Sequence, residues 1–279
     1  MNEIKASIII PTKDKLSRLR LVLKFLAHQI TEEIEVIVVF DGCNPDTIQS
    51  FEKHSFPFKP LQVICMENIG RSAARNLGIK LARGQIIIFL DDDRIPGDDF
   101  IRRHLEGQRE PKVLLGERHN LSLAEPEIEN LFYTDNQNHL YHQIKNMANM
   151  ARESMPQIRR KLLFKLNGTL GWINFYTGNV SIPKDKLIAA GCFDENFSGW
   201  GHEDLELGYR LYKQGIIFQI EPGIMNYHML HHNDTREKFR DSCKNLKYMI
   251  QKCRDDKAAY WILRAMLAKI YLERLANLI

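Results

Sequence analysis

The sequence of 279 residues lacks the features that mark several common classes of protein. No run of about 18 apolar residues occurs, so no membrane-spanning helix is expected. The first residues lead directly into a strand pattern, without the basic and apolar regions of a signal peptide. Repeats and low-complexity segments are missing too. The remaining composition, with 44% hydrophobic and 27% charged residues, predicts an ordinary globular chain of one large or two small domains.

Cysteine is scarce, and the net charge is modest. The five cysteines are odd in number and show no Cys-x-x-Cys spacing, which argues against a disulfide framework or a zinc site. A net charge of +4 does not indicate nucleic-acid binding, although it allows weak attraction to phosphate or anionic lipid. We therefore predict a cytoplasmic protein, with peripheral attachment at the inner face of the membrane as the alternative.

Glycine-rich phosphate-binding loops are also missing, although the first 90 residues or so have the alternation of a nucleotide-binding fold. Apolar runs predict strands at 6–11, 35–40, 61–65 and 85–90, and helical spacing predicts helices at 18–30 and 71–83. We expect Pro11 to end the first strand and Gly84 to cap the second helix in a left-handed conformation. This order predicts a doubly wound α/β sheet in which a metal and cations hold phosphate.

Three aspartates, Asp91, Asp92 and Asp93, follow the most apolar of these runs. The run is expected to be a strand buried on both faces of a parallel sheet. Three carboxylates at its end repel one another unless a cation or hydrogen-bond donors compensate. Oxygen ligands at the carboxyl end of such a strand suit Mg²⁺ or Mn²⁺ rather than Zn²⁺. The alternative is a polar turn, for which one aspartate would be enough.

A second group of carboxylates, this time a pair, opens a predicted helix at 203–214. Glu203 and Asp204 follow Trp200, Gly201 and His202. Helix capping alone would explain the acids but not the glycines around an exposed tryptophan. Glycine lets the backbone approach a ligand, and an indole offers a flat apolar platform for a sugar. Beside such a platform, a carboxylate can act as a general base towards a hydroxyl.

Two further groups of residues are candidates for the same site. His228 and His231 form a His-x-x-His pair after a predicted strand at 216–220, and an imidazole ligand would favour Mn²⁺ over Mg²⁺. Arg71 and Arg75 begin the helix before the acidic strand, where they could neutralise phosphate or hold a base. The alternatives are a structural histidine and a pair of arginines on a helix surface.

The rest of the chain is less regular. We predict helices at 98–108 and 184–190, a strand at 112–116, an ordered segment at 177–183, and two tail helices at 235–254 and 257–279. Residues 117–170 are expected to form an irregular helical excursion. The predicted catalytic domain spans 1–234, with a nucleotide-binding half at 1–112 and an acceptor-binding half at 113–234. A helical extension follows at 235–279.

Four segments of the first half carry recognisable motifs: SIIIPT (7–12), VIVVFDG (36–42), NIGRSAARNLG (68–78) and GQIIIFLDDD (84–93). Together they resemble those of family-two glycosyltransferases of the GT-A fold. A later segment, FSGWGHED (197–204), resembles the carboxy-terminal motif of β-1,4-galactosyltransferases and chondroitin-polymerase-type enzymes. The resemblance covers about residues 5–232. It implies an α/β fold with a Rossmann-like mixed sheet flanked by helices and a helical tail.

The resemblance also implies a site for a nucleotide sugar, with UDP as the expected nucleotide. A bound Mn²⁺ or Mg²⁺ ion would be held by Asp93 and Asp91. His231 aligns best with the family's later metal-binding histidine, and His228 is the alternative. The nucleotide sugar would contact the remaining donor residues, which are Pro11, Thr12, Asp41, Arg71, Arg75, Asp91, Asp92 and Asn179.

For the acceptor, the resemblance implies contacts from Trp200, Gly201 and Glu203, with Asp204 as the base. Retaining relatives with a similar motif carry Asn at this position, so Asp204 implies inversion. The expected reaction moves a hexose or N-acetylhexosamine to a hydroxyl of a glycan or lipid-linked glycan. Two alternatives are a nucleotidyltransferase, and a sugar-nucleotide-binding module with weak catalysis.

Overall fold

The computed structural model describes residues 3–134, 137–150, 170–231 and 235–276. Its eight strands are β1 (Ala6–Thr12), β2 (Ile34–Asp41), β3 (Leu61–Cys65), β4 (Ile86–Leu90), β5 (Arg94–Pro96), β6 (Lys112–Leu121), β7 (Asn179–Pro183) and β8 (Ile217–Met229). The helices before β7 are α1 (Leu16–Ala27), α2 (Pro45–Glu52), α3 (Arg71–Leu81), α4 (Phe100–Gly107), α5 (Glu125–Tyr133) and α6 (Gln137–Met150), followed by a 3₁₀ turn (Gly171–Asn174). The later helices are α7 (Lys184–Ala189), α8 (Glu203–Lys213), α9 (Thr235–Lys252) and α10 (Lys257–Ala276).

All eight strands form one mixed sheet in the order β3-β2-β1-β4-β7-β6-β8-β5. The first four strands in this order are parallel, and β7 runs antiparallel to both β4 and β6. The predicted mixed α/β fold is confirmed. The more specific expectation for the acidic strand was wrong, because β4 has one parallel and one antiparallel neighbour.

The apolar run of β4 is continuous because helices cover both faces of the sheet. Ile88 and Leu90 belong to a core that contains the buried face of α1. Ile87 and Phe89 belong to a second core, which contains residues of α3 and α8. Side chains in a strand alternate between faces, so burial on both sides requires consecutive apolar residues. The strand therefore delivers the three aspartates to the edge of a rigid layer.

Two predicted ends of elements were wrong. β1 continues through Pro11 to Thr12, because its pairing with β4 ends at Ile9 and leaves only β2 as a neighbour. Proline is tolerated where one side of the strand is unpaired. Gly84 does not have the predicted left-handed conformation. A Cβ on it would lie 2.5 Å from the backbone of Ala6 and Ser7, so glycine is needed there for close approach.

The weakly patterned middle of the chain is more regular than predicted. β6 extends to Leu121, and α5 and α6 follow where an irregular excursion was expected. The parts of that excursion at 135–136 and 151–169 lie outside the described residues. β8 reaches Met229, so His228 lies within a strand rather than after one.

The two carboxy-terminal helices pack on the rest of the domain. Leu246 and Met249 of α9 and Leu263 of α10 are fully buried in the same core as Leu207 and Leu211 of α8. Within the described residues, no helix is long and apolar enough to cross a membrane. The tail helices therefore contribute to the stability of the domain.

We predict that Leu246→Ala lowers the free energy of unfolding by about 2–5 kcal/mol, because it removes buried methyl groups and leaves a cavity. Leu272→Ala is the matched control on α10, since Leu272 is 65% exposed, and should change it by less than about 0.5 kcal/mol. Urea unfolding of both variants measures the difference. Equal values for the two would show that α9 is not part of the core.

Candidate active site

The centre of the site is Arg75, a buried arginine on α3. Its guanidinium donates to Glu203 Oε1 at 3.0 Å and lies 3.4 Å from Asp91 Oδ1. Only 5% of Arg75 is exposed. Burial alone would lower its pKa, but Glu203, Asp91 and Asp204 outweigh burial and raise it, so the group stays charged. Arg75 thus joins the end of β4 to the start of α8.

Asp91 is held by arginines on both sides. Besides Arg75, Arg94 donates from Nε to Asp91 Oδ2 at 3.0 Å. Burial would raise the pKa of Asp91, but Arg94 and Arg75 together lower it, and the carboxylate stays ionised. The backbone at Gly178 packs so closely on this ion pair that a Cβ there would overlap both partners. Asp91 therefore faces arginines and not the candidate metal ligands.

Asp93 faces two histidines on and after β8. The ligand atoms of Asp93, His228 and His231 all lie within 4.8 Å of one another. His231 Nε2 is 3.1 Å from one Asp93 oxygen and His228 Nε2 is 3.8 Å from the other. The backbone N–H of Met229 donates to the Asp93 carbonyl at 2.9 Å, which fixes β8 against the end of β4. Both histidines, which sequence reasoning treated as alternatives, come together at one carboxylate.

The donor set fits a divalent cation. One carboxylate with two imidazoles is softer than the all-oxygen shell that Mg²⁺ prefers, and it favours Mn²⁺. Burial, reinforced by Arg94, lowers the pKa of His228 to about 4, so its ring is neutral at pH 7, as a metal ligand must be. Burial would raise the pKa of Asp93, but the hydrogen bond with His231 and the charge of Lys15 outweigh it and keep the carboxylate ionised.

Lys15 is a site residue that the sequence analysis missed. Its ammonium donates to Asp93 Oδ2 at 2.8 Å and to Asp92 Oδ1 at 3.2 Å. Asp92 also accepts a hydrogen bond from Thr12 Oγ1 at 2.8 Å. Burial raises the pKa of Asp92 to about 6 despite the nearby Lys15 charge. The available signal was position alone, since Lys15 follows the carboxyl end of β1, the strand beside β4.

The predicted nucleoside contacts lie at the carboxyl ends of β1 and β2. Asp41 ends β2 and accepts from the backbone N–H groups of Ile69 at 2.6 Å and Gly70 at 3.2 Å. It thereby fixes the turn that starts α3, where Arg71 is exposed to solvent. Pro11 is partly buried at the end of β1. These three residues share one edge of the sheet with the acidic cluster.

Asn179 is a predicted donor contact whose side chain is bonded inside the sheet. Its amide donates to the carbonyl oxygens of Glu117 and Ile224 at 2.9 and 3.1 Å and accepts from His104 at 3.0 Å. Burial lowers the pKa of His104 to about 3, so that ring stays neutral. With only 4% of Asn179 exposed, its polar atoms serve the inside of the sheet, and we correct its assignment to a structural one.

The Gly-Trp-Gly loop is held in place by α9. Asp241 accepts from the backbone N–H of Trp200 at 2.9 Å, and Asn245 donates to the Gly201 carbonyl at 2.8 Å. Gly199 and Gly201 have φ values of 75° and 95°, which favour glycine. Trp200 is 37% exposed, with Lys238 Nζ 5.0 Å from the ring centroid. The indole is therefore presented at the surface by a fixed loop.

The two carboxylates at the start of α8 have different environments. Glu203 is 5% exposed and bound to Arg75, so it orients the helix start rather than facing an acceptor. Asp204 is partly exposed and accepts from the N–H of Leu205 at 2.8 Å. Burial, together with the Glu203 charge, raises the pKa of Asp204 to about 7. A carboxylate with such a pKa is suited to take a proton at neutral pH.

Arg118 on β6 is a second site residue that was missed. Arg118 lies opposite Asn226 of β8. Two positions further along β6, Asn120 lies opposite His228 of β8, and Arg94 of β5 lies opposite the same histidine on its other side. These residues share one face of the sheet. Burial and Arg94 lower the pKa of Arg118 to about 10, and no side chain within the described ranges forms an ion pair with it. It gives this face positive charge.

The arrangement combines a candidate cation site with a separate carboxylate of raised pKa. Comparison with known families agrees. The model described as glycosyl transferase family 2 matches residues 7–162, and the model described as the N-terminal domain of galactosyltransferase matches residues 161–233. The first match covers more than half of the chain. The chain belongs to glycosyl transferase family 2, and it is a glycosyltransferase.

Known relatives agree in sequence and in fold. The chain is 29% identical over 265 residues to a chondroitin synthase of Escherichia coli, a match that covers 86% of the chain and 37% of that enzyme. It therefore spans little more than a third of this relative. The structure of TarS 1-349 from S. aureus in complex with UDP-GlcNAc has a TM-score of 0.64 at 17% identity, covering 96% of this chain and 72% of that one.

A mannosyltransferase of Pyrobaculum calidifontis, in complex with GDP-Man and Mn²⁺, has a TM-score of 0.62 at 14% identity, covering 96% and 70% of the two chains. Identities this low show the fold alone. The GT-A fold that the motifs implied is confirmed.

We predict that Arg75→Met lowers the free energy of unfolding by about 3–5 kcal/mol, because it leaves Glu203 and Asp91 without their shared buried partner. Arg71→Met removes an exposed arginine from the same helix and should cost no more than about 0.5 kcal/mol. Chemical unfolding compares the two variants. A small, equal effect would mean that the Arg75 bridge does not stabilise the site.

Proposed function

We propose that the chain is a metal-dependent, inverting glycosyltransferase. It moves a hexose or N-acetylhexosamine from UDP to a hydroxyl of a glycan acceptor, free or lipid-linked. The observation that carries this proposal is the Arg75 bridge, which sets a raised-pKa carboxylate at the start of α8 beside the acidic end of β4. The bound UDP-GlcNAc of TarS and the chondroitin synthase similarity support a UDP-sugar and a glycan.

In this proposal, the two halves of the domain bind different substrates. Residues 1–112 bind the donor, whose nucleoside lies against Pro11, Thr12, Asp41 and Arg71 at the carboxyl ends of β1 and β2. Residues 113–234 bind the acceptor at Trp200 and Gly201, and the extension at 235–279 supports them. The sequence predicted that Arg75 contacts the donor and that Glu203 contacts the acceptor. Because both side chains are buried against each other, they position the start of α8 instead.

Asp93, His228 and His231 would hold the metal. When bound, Mn²⁺ or Mg²⁺ supplies positive charge to the diphosphate that leaves the sugar. The protein adds its own cations at the same edge: Lys15 lies against Asp92 and Asp93, and Arg94 and Arg118 lie on the face of the sheet that carries His228. Fixed cations at a developing negative charge stabilise the transition state.

Asp204 is the proposed base. It takes the proton of an acceptor hydroxyl while that oxygen forms a bond to the anomeric carbon. The bond from this carbon to the diphosphate breaks on the opposite side, so one displacement gives one inversion. Trp200 holds the acceptor sugar, and Glu203, fixed by Arg75, holds the start of α8 so that Asp204 keeps its position.

The direct test of this function is a donor screen with Mn²⁺ that measures nucleoside diphosphate release for each sugar nucleotide. Release of UDP from a UDP-sugar supports the proposal. Release of pyrophosphate would instead identify a nucleotidyltransferase, and no turnover of any donor would leave only a binding module.

We predict that Asp204→Asn lowers the transfer rate by about 10²-fold or more and leaves UDP binding unchanged, because only the base is lost. In the unmodified enzyme, the rate should rise with pH through about 7, as Asp204 loses its proton and becomes able to accept another. A pH profile of transfer and a calorimetric titration with UDP test both points. Full activity in Asp204→Asn would remove Asp204 from this role.

We also predict that replacing a metal ligand weakens Mn²⁺ binding. Even an outer partner of a metal site is worth about 10–100-fold in affinity, so Asp93→Ala, His228→Ala and His231→Ala should each cost at least about tenfold. His28→Ala removes an exposed histidine and serves as the control. Titration with Mn²⁺ followed by electron paramagnetic resonance gives the affinities. Unchanged affinity in all three variants would rule out this cluster.

A further inference from the structure

The carboxy-terminal segment carries the net positive charge of the chain. Residues 235–279 contain 11 of its 39 Lys and Arg but only 5 of its 35 Asp and Glu, which gives a net charge of +6. Because the whole chain carries +4, the other residues together carry −2. The positive charge is thus concentrated in one structural unit, where it favours an anionic ligand.

Part of this charge lines a groove between α9 and α10. The groove has a volume of about 500 Å³ and is lined by three aromatic and three basic side chains, Phe239, Tyr248, Tyr271, Arg240, Lys244 and Lys247. The basic residues and Gln251 recur at intervals of four, three and four, so they share one face of α9. From Arg240 to Gln251 this face extends about 16 Å. The groove is therefore elongated and basic along its length.

The aromatic residues of the groove are arranged with cations beside them. The Phe239 and Tyr271 rings meet edge to face at 5.8 Å, and Tyr271 is 40% exposed. Lys247 Nζ lies 5.9 Å from the Tyr271 centroid. A flat ring offers apolar area to the face of a sugar, whereas Lys and Arg pair with carboxylates. A groove that combines aromatic rings with Lys and Arg side chains therefore suits a chain of sugars that bear carboxylates.

The groove is continuous with the acceptor platform through α9. The first turns of α9 supply Lys238 beside the Trp200 ring and Asp241 to the Trp200 backbone. One turn on, Lys244 donates to Ser198 Oγ at 2.6 Å while it also lines the groove. A glycan whose end lies on Trp200 can therefore continue along the same helix without leaving the surface.

We propose that the groove between α9 and α10 binds the distal part of an acidic glycan acceptor, a polysaccharide that bears uronic acid carboxylates. This inference rests on the proposed function, because it extends the acceptor site beyond Trp200. A neutral glycan would gain nothing from Arg240, Lys244 and Lys247. An anionic membrane surface would use the charge but not the aromatic groove.

The test measures binding of polygalacturonate oligosaccharides, with dextran as the neutral probe and vesicles containing phosphatidylglycerol as the lipid probe. Arg240→Glu with Lys247→Glu should weaken polygalacturonate binding at least about tenfold, since two charge-assisted contacts become repulsive. Lys53→Glu with Lys59→Glu is the matched control, because it changes the net charge by the same amount at exposed positions far along the sequence from α9. It should change the affinity for polygalacturonate less than about twofold. Arg240→Lys with Lys247→Arg keeps the charges and should retain binding.

Three results would overturn the inference. The first is an equal loss of polygalacturonate affinity in both charge-reversed variants. The second is dextran binding as tight as polygalacturonate binding. The third is binding of the vesicles but not of polygalacturonate. UDP release from a UDP-sugar is measured separately on the unmodified chain, with glycan oligosaccharides as acceptors. Its absence would contradict the proposed function, and the binding result would then still show whether the groove recognises an acidic glycan.

Discussion

The active site depends on a buried ion pair network centred on Arg75. The guanidinium lies between Asp91 at the end of β4 and Glu203 at the start of α8, two segments more than a hundred residues apart. Buried charges of this kind add little net stability when paired but are costly when one partner is removed. Their use here is geometric. The network fixes the distance between the donor side of the site and the helix that carries Asp204.

The three consecutive aspartates have separate roles because each finds a different partner. Asp91 is paired with Arg75 and Arg94, Asp92 accepts from Thr12 and Lys15, and Asp93 faces the two histidines of β8. Mutual repulsion is thereby relieved without placing all three carboxylates on one cation. Of the three, Asp93 is the one that faces the two histidines, a ligand set that suits a divalent cation.

Sequence reasoning succeeded where local chemistry determines the result. The apolar run before Asp91 requires a strand buried on both faces, and the structure buries it on both. It failed where a role depends on contacts distant in sequence. Lys15 follows β1 and Arg118 lies on β6, and both look like ordinary surface residues until the sheet brings these strands beside the site.

Asn179 shows the opposite failure. It follows a glycine at the start of a strand that pairs with β4, yet its side chain bonds to His104 inside the sheet. Gly84 resembles a helix cap in sequence, whereas the fold needs it for a close approach to β1. No local pattern separates these cases.

In the proposed mechanism, Asp204 drives a single displacement at the anomeric carbon. The most direct measurement is the anomeric configuration of the new linkage, read by proton nuclear magnetic resonance from the product of an α-linked UDP-sugar. A β-linked product is the predicted result. An α-linked product would contradict the account, because retention cannot arise from one displacement.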